Sequence, residues 1–291
     1  AVTVTAATTG MLIPPSNILI IYSLASGGVS IAALFIAGYL PGLLVTLLLI
    51  GAAAIYVKRN NIATLSKASI GPFWPSFFGA IPSLFLIVLI IGGIIGGIFT
   101  PTEAGAIAVL YSLAISLFLY KELKYSDLYP VLLKTVNTTA IVMMLIGASS
   151  AMSWLMSYEL IPQTISQTLL TLSENPLIIL LIINITLLVI GTFMDMTPAV
   201  LIFTPIFLPV VESLGLSPLH FGIMMILNLS IGLCTPPVGS VLFVGCSIGK
   251  VSISQIIKPI LPLYAAMVIA LVLVTMFPAI SEFLPRILGL I

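Results

Sequence analysis

Charged residues are scarce in this chain. They make up 6% of its 291 residues, whereas hydrophobic residues make up 60%. A soluble domain of this size needs a charged surface, so the composition excludes one and predicts a protein that crosses the membrane several times. The net charge of +1 also leaves no basic surface of the kind that binds nucleic acid.

Side chains that often carry catalysis or bind transition metals are almost missing as well. The two cysteines, Cys234 and Cys246, fall in apolar segments and predict buried thiols rather than a disulfide framework or a metal site. The one histidine, His220, stands close to Pro218 at the head of a segment, which predicts an interfacial residue. With no nucleophile–base pairing and no glycine-rich phosphate loop, the pattern indicates a protein that is not an enzyme.

What the chain does contain is one pattern that occurs twice. Residues 10–31 read GMLIPPSNILIIYSLASGGVSI, and residues 232–253 read GLCTPPVGSVLFVGCSIGKVSI. The two stretches align without a gap at an offset of 222 residues, from Gly10 to Gly232. Each belongs to an apolar segment long enough to cross a bilayer, and each segment is broken in its middle by Pro-Pro.

Each Pro-Pro pair leaves carbonyl oxygens without their helical donors, because proline has no N–H. The freed carbonyls are those of Gly10 and Met11 in the first copy and those of Gly232 and Leu233 in the second. Such a break costs about 3 kcal/mol or more and is tolerated at membrane depth only inside protein or beside a water-filled cavity. Two matched interruptions predict a transporter's binding site; the alternative is a pair of packing kinks without a ligand.

The apolar segments predict an all-α polytopic membrane protein. The predicted membrane segments are about 1–26, 39–57, 79–99, 101–119, 136–157, 176–192, 197–212, 219–248 and 260–281. Short stretches at 30–37 and 250–258 predict arms along the membrane surface, where 160–172 is also expected to lie. The run Thr100-Pro101-Thr102-Glu103 predicts a helix start that Glu103 caps.

Basic residues in short loops predict the orientation of these segments. If 176–212 forms one re-entrant hairpin, eight of the nine basic residues, Lys67 among them, lie on the cytoplasmic side and Arg286 does not. If this segment crossed the membrane fully, Lys250 and Lys258 would lie outside. The charge rule therefore favours the hairpin, and the two Pro-Pro copies then run in opposite directions as an inverted repeat.

This interpretation divides the chain into four parts. They are a transport-domain broken helix at 1–28, an arm with scaffold helices at 29–134, the second-repeat helix with the hairpin and the second broken helix at 135–250, and an arm with the C-terminal scaffold helix at 251–291. The chain opens at Ala1 inside an apolar segment without a basic leader. We therefore expect it to be part of a longer polypeptide.

Asp195 is the one acidic residue that the pattern predicts deep in the membrane, at the tip of the hairpin beside Thr192 and Thr197. A charge at the bilayer centre costs at least ~2.5–3.5 kcal/mol, so it needs a partner or a wet cavity. The tip has no basic neighbour in the sequence, and a bound cation would supply the partner. The alternative is that Asp195 caps the second arm of the hairpin, and both roles can hold together.

Backbone carbonyl and hydroxyl oxygens hold hard cations such as sodium. Gly191 at the hairpin tip, with Gly232 and Thr235 at the second break, can provide them, so a sodium site is predicted between the two. The first break predicts a pseudosymmetric second site with Gly10 and Ile13, whose partner hairpin is expected upstream of this chain.

Polar residues just past the first break predict where a substrate carboxylate binds. Ser16 and Asn17 start a half-helix whose positive end faces the membrane centre, which suits an anion. Their counterparts after the second break, Val238 to Ser240, are poorer donors. The alternative for Ser16 is a simple helix cap.

The chain resembles the large membrane subunit of the tripartite ATP-independent periplasmic (TRAP) transporters. The matching stretches are TAATTGMLIPPSN, FIAGYLPGLL, FTPTEAGAIAVLYSL, GTFMDMTPAVLIFTPIFLPVVESLGLSPLHFGIMMILNLSIGLCTPPVGSVLFV and KPILPL. The resemblance implies an elevator-type, sodium-coupled importer of organic acids in the bacterial inner membrane. It also implies two partners, a small membrane (Q) subunit and a soluble periplasmic substrate-binding protein, and a first hairpin that is missing here.

The resemblance also assigns residues. It implies sodium (Na⁺) sites, with no organic cofactor, at Gly10, Ile13 and Pro15 on one side and at Gly191, Gly232, Thr235 and Val238 on the other. It implies substrate contacts at Ser16, Asn17, Asp195 and Thr197. The form IPPSN is similar to the sialic-acid members of the family. A stand-alone sodium/dicarboxylate symporter of related fold, and a passive channel or scaffold, are the alternatives.

Overall fold

The structure, a computed structural model, describes residues 1–60, 73–172 and 175–291. Its contacts divide the chain into two compact units. The larger unit comprises residues 1–60 and 145–291, and the smaller lies within 61–144. Lys67, predicted for the cytoplasmic side, lies outside the described residues, and the four-part division of the chain stays a prediction.

The described residues fold into thirteen α-helices. They are α1 Val2–Leu12, α2 Asn17–Ala25, α3 Ile31–Arg59, α4 Phe73–Ile95, α5 Pro101–Ala114, α6 Leu128–Tyr158, α7 Ile161–Leu172, α8 Pro176–Phe193, α9 Met196–Ser213, α10 Pro218–Leu233, α11 Ser240–Gly249, α12 Ile253–Met276 and α13 Ala279–Ile287. A π-helical turn, Ile115–Leu119, follows α5, and a 3₁₀ turn, Tyr125–Asp127, precedes α6.

Most of these helices are long and apolar enough to cross a bilayer. By length and composition, the described residues contain seven such spans, or eight if α1 and α2 form one bent span. A span needs about 20 apolar residues. The prediction of an all-α, multi-pass membrane protein is therefore confirmed.

Helix α10 is the centre of the larger unit. Every residue from Leu219 to Leu233 is buried, as expected of a helix that is surrounded by others on all sides. Helices α1, α3, α8, α9 and α12 pack around it. Helix α10 is thus the helix around which these five helices of the larger unit are arranged.

The smaller unit contains α4 and α5, which tyrosine hydroxyls join. Tyr111 donates to the carbonyl of Pro82 at 2.8 Å, and Tyr120 donates to that of Gly79 at 3.0 Å. At the start of α5, the Thr100 N–H donates to Glu103 at 2.7 Å and the Glu103 N–H donates to the Thr100 hydroxyl at 3.3 Å. The predicted cap by Glu103 is confirmed.

The two predicted arms are continuous with the helices that follow them, and their place along the membrane surface stays a prediction. Residues 31–37 form the first turns of the 29-residue helix α3, and residues 253–258 form the first turns of α12. Pro41 and Pro259 lie inside these helices without ending them. Residues 33–37 are buried by the rest of the larger unit, so tertiary packing offsets the helix-breaking tendency of the prolines.

His220 is buried rather than interfacial, which corrects the prediction. Its ring is 1% exposed, and its Nδ1 lies 2.8 Å from the hydroxyl of Ser281 in α13. Beside it, the buried carboxylate of Glu282 accepts a hydrogen bond from Arg286. The amphipathic helix α13 covers the start of α10, a contact between residues 61 positions apart in the chain.

Candidate functional site

The two Pro-Pro breaks interrupt their helices at matching places. The first lies between Leu12 of α1 and Asn17 of α2, whose axes differ by 50°. The second lies between Leu233 of α10 and Ser240 of α11. The peptide bond within each Pro-Pro pair is cis. The predicted helix breaks are therefore confirmed.

At the first break, a side chain takes up one of the freed carbonyls. Ser16 is 4% exposed, and its hydroxyl donates to the carbonyl of Met11 at 2.6 Å. The carbonyl of Gly10 lacks its helical donor because Pro14 has no N–H, and Gly10 itself is exposed. Ser16 occupies the N-cap position of α2 but makes no capping side-chain bond. Its hydroxyl instead joins the two sides of the break through the bond to Met11.

At the second break, backbone and side-chain donors form a tight turn. The Thr235 N–H donates to the carbonyl of Gly232 at 2.8 Å, and the Thr235 hydroxyl donates to that of Ile231 at 2.7 Å. The prediction that Pro236 leaves the Gly232 carbonyl without a donor is therefore wrong. Because a carbonyl oxygen has two lone pairs, this one still has the capacity to bind a cation.

The two broken segments run antiparallel. Near the start of the first, the Val4 carbonyl lies 3.4 Å from the thiol of Cys234 at the end of α10. Near the end of the first, the Tyr22 hydroxyl donates to the carbonyl of Pro218 at the start of α10, at 2.6 Å. The Tyr22 ring also packs edge-on against Phe221. The reversed order of these contacts confirms the inverted repeat.

The repeat extends to α3 and α12, the helices that come after the two broken segments. The Leu12 carbonyl oxygen lies against α3, so close that a Cβ on Gly38 would come within 2.1 Å of it. The counterpart of Leu12 at the 222-residue offset is Cys234, whose carbonyl accepts a hydrogen bond from Tyr264 of α12. Tyr264 is the counterpart of Gly42. The Leu12 carbonyl at the first break thus faces α3, and the Cys234 carbonyl at the second break faces α12. The Cys234 carbonyl accepts a hydrogen bond from a tyrosine hydroxyl there, whereas α3 has a glycine at the position of that tyrosine.

Helix α8 runs parallel to α10. Asn228 of α10 donates to Asn184 of α8, and seven residues farther along α8, Gly191 packs against Gly232. Contacts that advance in the same direction along both helices mean that their axes point the same way. The end of α8 therefore lies beside the second break.

Helix α9 runs in the opposite direction. The Thr204 hydroxyl lies 3.6 Å from the Met225 sulfur, while the short loop 214–217 joins the end of α9 to the start of α10. Since α9 is antiparallel to α10 and α8 is parallel to it, α8 and α9 form a hairpin. The predicted hairpin is confirmed, with Met194 and Asp195 at its tip.

The hairpin meets the broken helix through two glycines. A Cβ on Gly232 would lie 2.6 Å from the Cα and the carbonyl carbon of Gly191, far inside van der Waals contact. A Cβ on Gly191 would lie 3.2 Å from the Cα of Gly232. Two backbones approach this closely only where neither residue has a side chain. Gly191, Gly232 and the nearby Thr235, all predicted sodium residues, are thus brought together.

The acidic tip residue holds the predicted cap position. Asp195 precedes the first turn of α9, its backbone carbonyl accepts from the Ala199 N–H at 3.2 Å, and its side chain makes no capping bond. The side chain is exposed, whereas neighbouring Thr192 is buried and donates to the Val189 carbonyl at 2.7 Å. The Asp195 carboxylate is therefore available to a ligand, and Thr197 is half-buried beside it.

The remaining predicted site residues divide between the two breaks. Ile13 is half-buried against α3, and Pro15 and Asn17 are exposed at the start of α2. Val238 is 47% exposed within the second break. Their sodium and substrate roles stay predictions.

A comparison with protein families now identifies the chain. The model of the "Tripartite ATP-independent periplasmic transporter, DctM component" matches residues 1–280. The chain belongs to the DctM family. This family comprises transporter permeases, which confirms the prediction of a transport protein rather than an enzyme.

Three relatives show how the DctM-family chain compares with longer proteins. It is 53% identical, over 98% of its length, to a Salmonella typhimurium protein named YgiK and described as uncharacterized. It is 40% identical over 95% to the sialic acid TRAP transporter large permease SiaM of Vibrio cholerae, and 39% identical over 97% to the C4-dicarboxylate TRAP transporter large permease DctM of Rhodobacter capsulatus. The chain spans 65% of the first two proteins and 67% of the third.

Sequence reasoning missed three residues around the second break of this DctM-family chain. They are Tyr264, which donates to the Cys234 carbonyl, and the buried pair Asn184 and Asn228. A signal for the pair exists in the sequence, because each asparagine is the one amide side chain in a largely apolar helix. Their contact joins residues 44 positions apart, which no local pattern reports.

Proposed function

We propose that this chain is part of the large membrane subunit of a sodium-coupled secondary transporter that imports an organic acid across the bacterial inner membrane. The observation that carries the proposal is the contact of the hairpin tip with the second broken helix at Gly191 and Gly232. The two broken helices themselves run antiparallel. Broken helices of an inverted repeat are where secondary carriers bind substrate and coupling ion.

The donor atoms at the second break support sodium as the coupling ion. Gly191 packs against Gly232, the Gly232 carbonyl accepts from the Thr235 N–H, and the exposed Asp195 follows Gly191 by four residues at the hairpin tip. Such oxygens suit a hard cation without strong directional preference. The first break would form the second site, with Gly10, Ile13 and Pro15.

A carboxylate group is the feature that the proposed substrate must have. The start of α2, with Asn17 exposed in its first turn, offers the positive end of a half-helix to an anion. The names of two relatives include sialic acid and C4-dicarboxylate, and the IPPSN form favours sialic acid. Two sodium ions with one monoanion would carry one net charge inward, which gains ~2.3 kcal/mol per 100 mV.

Two partners and a moving domain complete the proposal. The family description names a tripartite, periplasmic system, which supports a small membrane subunit and a periplasmic substrate-binding protein. We propose an elevator-type movement in which the broken helices and the hairpin move together, since α1, α2, α8, α9 and α10 pack on one another.

Reconstituted transport tests the proposed function. The full-length protein with its small subunit is placed in liposomes, and uptake of labelled sialic acid and of a C4-dicarboxylate is measured with and without the binding protein. We expect uptake of one of them to require both an inward sodium gradient and the binding protein. Uptake without the binding protein would indicate a stand-alone symporter, and uptake indifferent to sodium would indicate a passive channel.

A further inference from the structure

A buried chain of hydrogen bonds crosses three helices close to the second break. Asn228 of α10 donates through Nδ2 to both oxygens of Asn184 in α8, to Oδ1 at 2.7 Å and to the backbone carbonyl at 2.8 Å. Asn184 donates in turn to the hydroxyl of Thr275 in α12 at 3.1 Å. Asn228 is 0% exposed, and the other two are each 7% exposed.

The bonds leave one orientation for each amide. Turning the Asn228 side chain over would place its oxygen against two acceptor oxygens of Asn184, so Nδ2 must face α8. In consequence Asn228 Oδ1 is buried and accepts no hydrogen bond within the described part of the chain. A buried acceptor left unpaired lowers stability. The two bonds that Asn228 donates to Asn184 offset this cost, and they join α10 to α8.

The asparagine pair lies on the same seam as the glycine contact. Asn228 precedes Gly232 by four residues, and Asn184 precedes Gly191 by seven. Spacings of four and seven return to the same face of a helix. The asparagine pair therefore lies one to two turns before the glycine contact on the same faces of α8 and α10, where it limits sliding of the two helices against each other.

The glycine contact does not tolerate a slip of one residue. A slip of one residue moves a helix by about 1.5 Å and turns it by about 100°. The slip would bring Ile231 or Leu233 to the place where a Cβ on Gly232 already comes within 2.6 Å of Gly191. Close packing of the hairpin on the broken helix thus depends on what holds the two helices in line.

We propose that Asn184 and Asn228 are positioning residues, which hold α8 in register with α10 so that the carbonyls around Gly191 and Gly232 form a cation site. The inference rests on the proposed sodium coupling. Neither side chain needs to touch the ion, since both act through the helices that carry the glycines. Interhelical hydrogen bonds contribute modestly to the stability of membrane proteins, so isosteric apolar replacements are expected to fold.

A sodium titration of thermal stability tests the proposal. An ion that binds the native state raises the unfolding temperature, so full-length protein is titrated with sodium at constant ionic strength, with choline as the replacement cation. For Asn184→Leu and for Asn228→Leu we expect the half-saturating sodium concentration to rise at least tenfold. The double variant should add little to either single change, because both remove the same link.

Two control variants separate register from general packing. Ser230→Ala removes a buried hydroxyl that bonds only within α10, to the Ile226 carbonyl at 2.6 Å. Thr275→Val removes the link to α12 and leaves the bonds between α8 and α10 in place. We expect both to keep the half-saturating sodium concentration within about twofold of the original protein.

The outcomes distinguish this proposal from the proposed function. If the unaltered protein gains no stability from sodium, the sodium coupling is wrong and the positioning role is wrong with it. If the unaltered protein responds but the Asn184→Leu and Asn228→Leu variants titrate like Ser230→Ala, the positioning role alone is wrong. Should Asn228→Leu not fold, the double variant, which leaves no unpaired amide, carries the same expectation.

Discussion

Gly191 and Gly232 meet at a point where neither residue has room for a side chain. Their backbones occupy the volume that a Cβ on either residue would need. A serine or alanine at position 232 would push the hairpin tip away from the break, and with it the oxygens proposed to hold sodium. The proposed ion site would thus use backbone oxygens, and the requirement for glycine at these two positions is steric.

Gly232→Ala is expected to abolish sodium-dependent uptake or reduce it at least tenfold. The added Cβ lies 2.6 Å from Gly191, and such overpacking costs about 1–3 kcal/mol. Gly51→Ala is the matched control, because a Cβ on this helical glycine of α3 has nothing within 4 Å. Uptake of the two variants is compared at equal amounts of folded protein; equal rates would contradict the contact.

Asp195→Asn is expected to weaken the sodium dependence of uptake without unfolding the protein. Asparagine and aspartate serve equally well at a helix N-cap, so the change isolates the negative charge. Uptake is measured as a function of sodium concentration. The free energy of unfolding, obtained from thermal unfolding, should change by less than about 0.5 kcal/mol. Asp127→Asn, in a 3₁₀ turn of the smaller unit, serves as control; an unchanged sodium dependence at position 195 would argue against a cation beside it.

At the scale of helices, the two breaks differ in how they satisfy their carbonyls. At the first, Ser16 returns to Met11, and α3 presents glycines. At the second, Thr235 closes the turn and Tyr264 reaches over from α12. The inverted repeat therefore has matching backbones and unlike donors, which makes the two proposed ion sites chemically different.

Tyr264→Phe is expected to lower the free energy of unfolding by about 1 kcal/mol, since the Cys234 carbonyl loses its donor. The ring and its packing are kept. Thermal unfolding of the purified protein is compared with that of Tyr129→Phe, whose side chain is 75% exposed. A similar small effect of both changes would mean that the hydroxyl of Tyr264 contributes nothing to the turn.

For the whole molecule, the hairpin decides the topology. Because α8 and α9 are antiparallel and meet at Asp195, the hairpin that they form begins and ends on the same side of the membrane. Positive charges then favour the cytoplasm for Lys250 and Lys258. The antiparallel course of the two broken segments agrees with this arrangement.

Labelling of single cysteines tests the topology. In a protein whose buried Cys234 and Cys246 are replaced by alanine, cysteines are placed at Glu159, Gly215 and Lys121. We expect an impermeant thiol reagent to label positions 159 and 215 from the periplasmic side, and position 121 from the cytoplasmic side. Labelling of 159 and 215 from opposite sides would mean that the hairpin crosses the membrane.

Local chemistry accounts for the features that sequence reasoning predicted correctly. Apolar length predicts membrane helices wherever they pack, and proline lacks an N–H in every context. The helix breaks, the cap at Glu103 and the hairpin with its tip at Asp195 follow from such properties. The domain division and the roles of the site residues were predicted in the same way and still await experiment.

Contacts between residues distant in the chain account for what sequence reasoning missed. Helix α13 buries His220 through a contact across 61 positions, and Asn184 of α8 bonds to Asn228 of α10 across 44 positions. A hydrogen bond or a close glycine contact depends on where two segments meet, and that depends on the packing of all the helices around α10. The proline pattern therefore reveals where oxygens lose their helical donors, while packing selects which of them remain open to an ion.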